Sequence, residues 1–135
     1  MFFGTSDSSL FHIVDAATGK SLVKQDANAY VFSSPAVTDN VVVMGILNGT
    51  LAARDRTSGE LLWEFQTDAS KQNHGWVLTA DRRFNTPLLF SDNWREGPIL
   101  GQARQMSVGS IFSSPLVAND VVYFGSTDGH LYAID

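Results

Sequence analysis

The side chains best suited to chemistry are concentrated in one stretch. Between residues 66 and 110 stand His74, Trp76, Arg82, Arg83, Trp94 and Arg95. Arginine presents a planar fork of donors that matches a carboxylate, and Trp and Arg are common anchors of protein interfaces. Their grouping predicts a contact surface for an acidic or peptide partner. The same stretch holds five of the nine basic residues, including Lys71 and Arg104, against four of the fourteen acids, Asp68, Asp81, Asp92 and Glu96. It is therefore +1 in a chain of net charge −5, and the remainder is −6. A plainer reading stays open: Arg–Asp pairs on a solvated face, with both Trp residues packed between neighbouring units. Other chemistry is poorly supplied. There is no cysteine, hence no thiol nucleophile, disulfide or zinc finger. His12, His74 and His130 lack metal-ligand spacing, and His12 and His130 read as surface or edge residues. Phosphate-cradling glycine motifs are absent. No catalytic residue, cofactor or metal is assigned. An acidic chain is also a poor non-specific nucleic-acid binder.

What must position these residues is a repeat. Phe32-Ser33-Ser34-Pro35 recurs 80 residues later as Phe112-Ser113-Ser114-Pro115, and the following ten positions match as well. Phe2-Phe3-Gly4 through Asp15 to Gly19 parallels Val43-Met44-Gly45 through Asp55 to Gly59. The spacing of Asp15, Asp55 and Asp135 gives a period of 40. Recurrence marks the paired serines as strand lead-ins rather than nucleophiles. Val41-Val42-Val43 and Val121-Val122-Tyr123-Phe124 are short, β-branched or aromatic runs bounded by turns. Asn48-Gly49 and Asp128-Gly129 read as two-residue hairpin turns with both positions at positive φ. Thr18-Gly19 and Ser58-Gly59 mark a second turn. The clearest unit predicts strands at 34–38, 41–47, 50–55 and 61–67. No stretch keeps a helical apolar period for three turns. The class is all-β: a propeller segment of four-stranded antiparallel blades, about 3.4 of them, forming an open arc. The units are an incomplete blade at 1–31, a full blade at 32–67, a divergent blade at 68–110 and an incomplete last blade at 111–135. In the divergent unit strands are expected near 76–80, 83–86, 88–91 and 99–108. Gly4, Gly45 and Gly125 predict close approach to a neighbouring backbone. Asp15, Asp55 and Asp135 are placed to cap the turns that follow them.

These residues carry a resemblance. Ala53-Arg54-Asp55-Arg56-Thr57-Ser58-Gly59-Glu60-Leu61-Leu62-Trp63 resembles the tryptophan-docking repeat of pyrroloquinoline-quinone-type β-propellers. Asp15 to Lys20 matches too, with Val23 where the Trp would stand, and Ala133-Ile134-Asp135 opens a further copy. The resemblance covers residues 1–67 and 111–135, and it implies that Trp63 packs between blades. One branch of the family, quinoprotein dehydrogenases, binds quinone and calcium and stacks the quinone under a disulfide between adjacent cysteines, which this chain lacks. The other branch consists of non-catalytic scaffolds, similar to the propeller lipoprotein of outer-membrane β-barrel assembly. The expectation is a non-catalytic protein-interaction or scaffold module. The alternatives are a fragment of a quinone-dependent dehydrogenase and the ligand-sensing propeller of a signalling protein.

The resemblance implies a periplasmic, cell-envelope or extracellular location. The first residues carry no signal-peptide pattern, and the longest apolar run, Val41 to Leu47, is far below the ~18 residues that cross a bilayer. Closed rings of this family have about seven or eight blades. The chain is therefore expected to be the C-terminal part of a larger exported propeller, and open blade edges are expected to favour self-association.

Overall fold

The computed structural model describes residues 1–73, 75–90 and 95–135. Among the described residues ten strands form three antiparallel sheets. Blade 1 contains β1 (Phe2–Gly4), β2 (Leu10–Val14) and β3 (Ser21–Asp26). Blade 2 is four-stranded: β4 (Ala36–Val37), β5 (Val41–Gly45), β6 (Thr50–Asp55) and β7 (Leu61–Gln66). Blade 3 contains β8 (Leu116–Ala118), β9 (Val121–Gly125) and β10 (Leu131–Ile134). Each sheet is a simple meander, so the all-β propeller arc expected from the repeat is the architecture observed.

Side-chain alternation along a strand explains how the blades stack. On blade 2, Val42, Met44 and Ala52 turn to one face and join Phe11, Ile13 and Val31. Val43, Leu51 and Ala53 turn to the other face and join Ile111, Val122 and Phe124. Blade 2 is thus sandwiched, with blade 1 on one side and blade 3 directly on the other. Arg54 fastens the first junction. It is only 7% exposed, donates to the Gly59 carbonyl at 3.0 Å and the Asp26 carbonyl at 2.6 Å, and lies over the Phe11 ring. Burial pulls its guanidinium below the ordinary value, against the opposing charges of Glu64 and Asp26.

The repeated motifs have concrete jobs. The Ser33 hydroxyl donates to the Gly45 carbonyl at 2.9 Å and accepts from the Gly45 amide at 3.0 Å; Ser113 does the same to Gly125. The Ser114 hydroxyl accepts from the Ser34 amide at 3.0 Å, stitching the lead-ins of blades 2 and 3. Asp15 accepts from the amides of Ala17 and Thr18, and Asp55 from those of Thr57 and Ser58. Asp135 follows β10 in the equivalent position. The left-handed φ of Gly19 (+71°) and Gly59 (+73°) completes both turns.

Three expectations are corrected. The hairpins at Asn48-Gly49 and Asp128-Gly129 leave only the glycine at positive φ. Ile46 and Thr50 close a three-residue loop, as do Ser126 and His130, and a lone left-handed glycine is what that loop type requires. The turn with both residues at positive φ is Asn119-Asp120, between β8 and β9. Next, Gly4 makes room for the Val31 side chain rather than for backbone, and Gly125 has only Ser113 Oγ near, at 3.9 Å; a Cβ on Gly45 would meet the Ile111 side chain first and the Ile111 carbonyl oxygen at 3.3 Å, the backbone approach expected.

The third correction concerns residues 68–110. Among the described residues they form no strand of a blade, only an isolated bridge between Leu78 and Phe84. They carry α1 (Asp68–Gln72), α2 (Thr86–Leu89) and α3 (Gly97–Met106). Pro98 starts α3, and Gln102-Ala103-Arg104-Gln105-Met106 are good helix formers with no β-branched residue. The Thr67 hydroxyl caps α1 by accepting from the Ser70 amide. Val77, Leu78, Leu89 and Val108 form a separate small core. The unit is therefore a helical insertion between ring neighbours, and three sheets stand where division by the period gives about 3.4 blades.

Candidate functional site

The basic and aromatic residues singled out by sequence divide three ways. Arg82 pairs with Glu64 on β7, and its carbonyl accepts from Asn48 Nδ2 at 2.9 Å. Arg83 pairs with Asp26 at the end of β3 and lies 3.3 Å from Asp81. Burial raises the Asp26 carboxyl, but the Arg83 bond and the Asn28 amide outweigh it, and the group rests below its ordinary value. Arg83 is held above its own, chiefly by the Asp26 hydrogen bond. The two arginines are thus neighbours that fasten the insertion to blades 2 and 1. Trp76 is 56% exposed and Arg95 lies just before α3. His74 and Trp94 lie outside the described residues. Trp63, 39% exposed, lines a cleft with Val117 and Val122 of blade 3, an inter-blade position.

A deeper concavity than the Trp63 cleft lies elsewhere among the described residues. The insertion folds over the β5–β6 loop. Ser70 Oγ donates to the Asn48 carbonyl at 2.8 Å, and the Ser110 hydroxyl donates to the Leu47 carbonyl. Leu47 in this loop is 4% exposed, while Ile46, 1% exposed, belongs to the core between blades 1 and 2. This brings α3 alongside the lead-ins of blades 2 and 3, enclosing a groove of about 400 Å³. Tyr30, Phe32 and Phe112 line it from the lead-ins, with Leu47 from the loop. Gln102, Gln105 and Met106 line it from α3, and Ser6 from blade 1. The Phe32 and Phe112 rings lie 5.7 Å apart, tilted by 34°, and are 57% and 40% exposed. Tyr30 is braced by stacking on Phe84, and the Tyr30 carbonyl accepts from the Leu47 amide at 3.0 Å. Among the described residues, none that lines the groove carries a charged side chain. Such a lining can hold an apolar group and hydrogen-bond neutral polar ones.

Sequence reasoning missed this groove because its walls come from four separated segments, at residues 6, 30–32, 47 and 102–112. Two signals pointed to it. Phe32 and Phe112 occupy the same exposed repeat position. Ile46-Leu47 is apolar where blades 1 and 3 have Thr5-Ser6 and Ser126-Thr127, which marks that loop as covered. Among the described residues no group of three or more His, Cys, Asp or Glu side chains is placed to hold a metal ion, and no helix is long and apolar enough to cross a membrane.

Known proteins agree with this architecture. Outer membrane protein assembly factor BamB of Moranella endobia is 28% identical over 119 residues, covering 76% of this chain and 31% of that protein. The crystal structure of BamB from Moraxella catarrhalis superposes with a TM-score of 0.60 at 15% identity, over 97% of this chain and 29% of that one. The computationally designed Ika4 protein superposes with a TM-score of 0.58 at 17% identity, over 99% of this chain and 59% of that one. The chain thus spans about a third of the length of the BamB proteins it matches. The profile of the family described as outer membrane protein assembly factor BamB matches residues 1–84, more than half of the chain, and the chain belongs to that family.

Proposed function

We propose that this chain is a non-catalytic protein-binding propeller module that works in outer-membrane protein assembly, as part of a larger ring in the cell envelope. The process is the one named in its relatives. The partner site on this chain is the groove between α3 and the lead-ins of blades 2 and 3. The observation that carries this reading is the exposed Phe32–Phe112 pair, roofed by a helix that the repeat itself does not supply. Exposed aromatics set in a concave, neutral surface are characteristic anchors for a partner.

Photocrosslinking tests it. A photoreactive amino acid replaces Phe32 in the full-length protein in its own cells, and a second version carries it at Leu22, exposed on β3. The expected result is a crosslink from position 32, and none from 22, to a protein of the outer-membrane assembly apparatus. Equal labelling from both sites, or none from 32, contradicts the reading.

A further inference from the structure

We infer that the groove takes an extended, uncharged peptide segment, with a large apolar side chain over Phe32 and Phe112 and its backbone held by Gln102 and Gln105. The inference rests on the reading of the groove as a partner site and names the partner's chemistry.

Charge selects the occupant first. None of the described lining residues is charged, so an Asp or Lys entering would lose hydration and meet no counter-charge among them. Size selects next. A volume of about 400 Å³ accepts one or two large side chains, whereas a helix is ~10 Å across with its side chains. The amides then choose among neutral ligands. Gln102 and Gln105 are three apart on α3 and share a face, ~5–6 Å from each other. Their side-chain amides hold no hydrogen-bond partner among the described residues. Each offers a donor and an acceptor, the complement of a peptide group. Their separation is close to the ~6.6 Å between alternate residues of an extended chain. Leu47 and Met106 add aliphatic wall, which suits an apolar side chain better than the hydroxyls of a neutral sugar.

The test uses the full chain and two dye-labelled, end-blocked peptides, Ser-Thr-Gln-Phe-Thr-Gln-Ser and the same sequence with Asp for Phe, read by fluorescence anisotropy. The Phe peptide is expected to bind at least about tenfold more tightly than the Asp peptide. Replacing Gln102→Ala together with Gln105→Ala is expected to weaken it about tenfold, with the melting temperature unchanged because Ala favours helix. Phe32→Ala is expected to weaken it further. Equal binding of both peptides, or indifference to the glutamine pair, overturns the inference. So does binding of a neutral disaccharide in place of the Phe peptide. A crosslink from position 32 to an assembly protein, with neither peptide bound, overturns this inference and leaves the partner site standing. Peptide binding without that crosslink keeps the groove as a peptide site and overturns only its assignment to outer-membrane assembly.

Discussion

Arg82 and Arg83 carry the chemistry expected of a recognition site and spend it inside the molecule. Each finds a carboxylate on a different blade, Glu64 and Asp26, so a short polar segment is fixed at two points. The sequence marked these residues as unusual but not their partners, because the pairing spans 57 residues for Arg83 and Asp26. The pair has a consequence for acid stability. The Asp26 carboxyl lies below its ordinary value in the folded chain, so it binds protons less readily there than when unfolded. Its contribution is complete above the unfolded value and fades as pH falls through the folded one, below about pH 4. Asp15, held low first by the Thr18 hydroxyl, and Asp55, held low first by the Ser58 amide, add to the same acid limb. Thermal melts between about pH 6 and pH 3 should therefore fall on acidification, and less steeply for Asp26→Asn. An unchanged acid limb in that variant would remove the pair from the account.

At the level of elements, the strands of blade 2 were legible because Val41-Val42-Val43 and the Gly-bearing turns are local signals. The helices of the insertion were not. Ile99-Leu100 reads as the start of a strand inside an expected blade, and only Pro98 followed by Gln102 to Met106 argues otherwise. The groove was least legible, since residues 30–32, 47 and 102–112 meet only through tertiary packing. The repeated glycines sharpen the picture of how blades meet. A Cβ on Gly45 would collide with the Ile111 side chain, its Cβ at 2.9 Å, across the blade 2–blade 3 junction. On Gly125 the same atom meets only Ser113 Oγ at ordinary contact distance. Gly45→Ala should thus cost about 1–3 kcal/mol by overpacking, and Gly125→Ala should stay within about 0.5 kcal/mol. Denaturant melts of the two variants of this chain make the comparison. Equal losses would mean that the two glycines do not differ in their neighbours.

Over the whole molecule, the insertion matters more than its sequence drift suggested. An 80-residue offset between two Phe-Ser-Ser-Pro motifs looks like two steps around a ring. In the structure it is one step plus an excursion: blade 3 packs directly on blade 2, and α1 to α3 ride on the loop between β5 and β6. That arrangement is what sets Phe32 beside Phe112 and closes the groove with α3. The chain has no cysteine, so a single engineered pair reports this adjacency without interference. In a Ser34→Cys, Ser114→Cys double variant, mild oxidation should form an intramolecular disulfide independent of protein concentration, because the Ser34 amide and Ser114 hydroxyl lie 3.0 Å apart. If residues 68–110 formed a blade between the two lead-ins, the Cα atoms would stand beyond the ~7 Å that a disulfide can bridge, and the double variant would stay reduced.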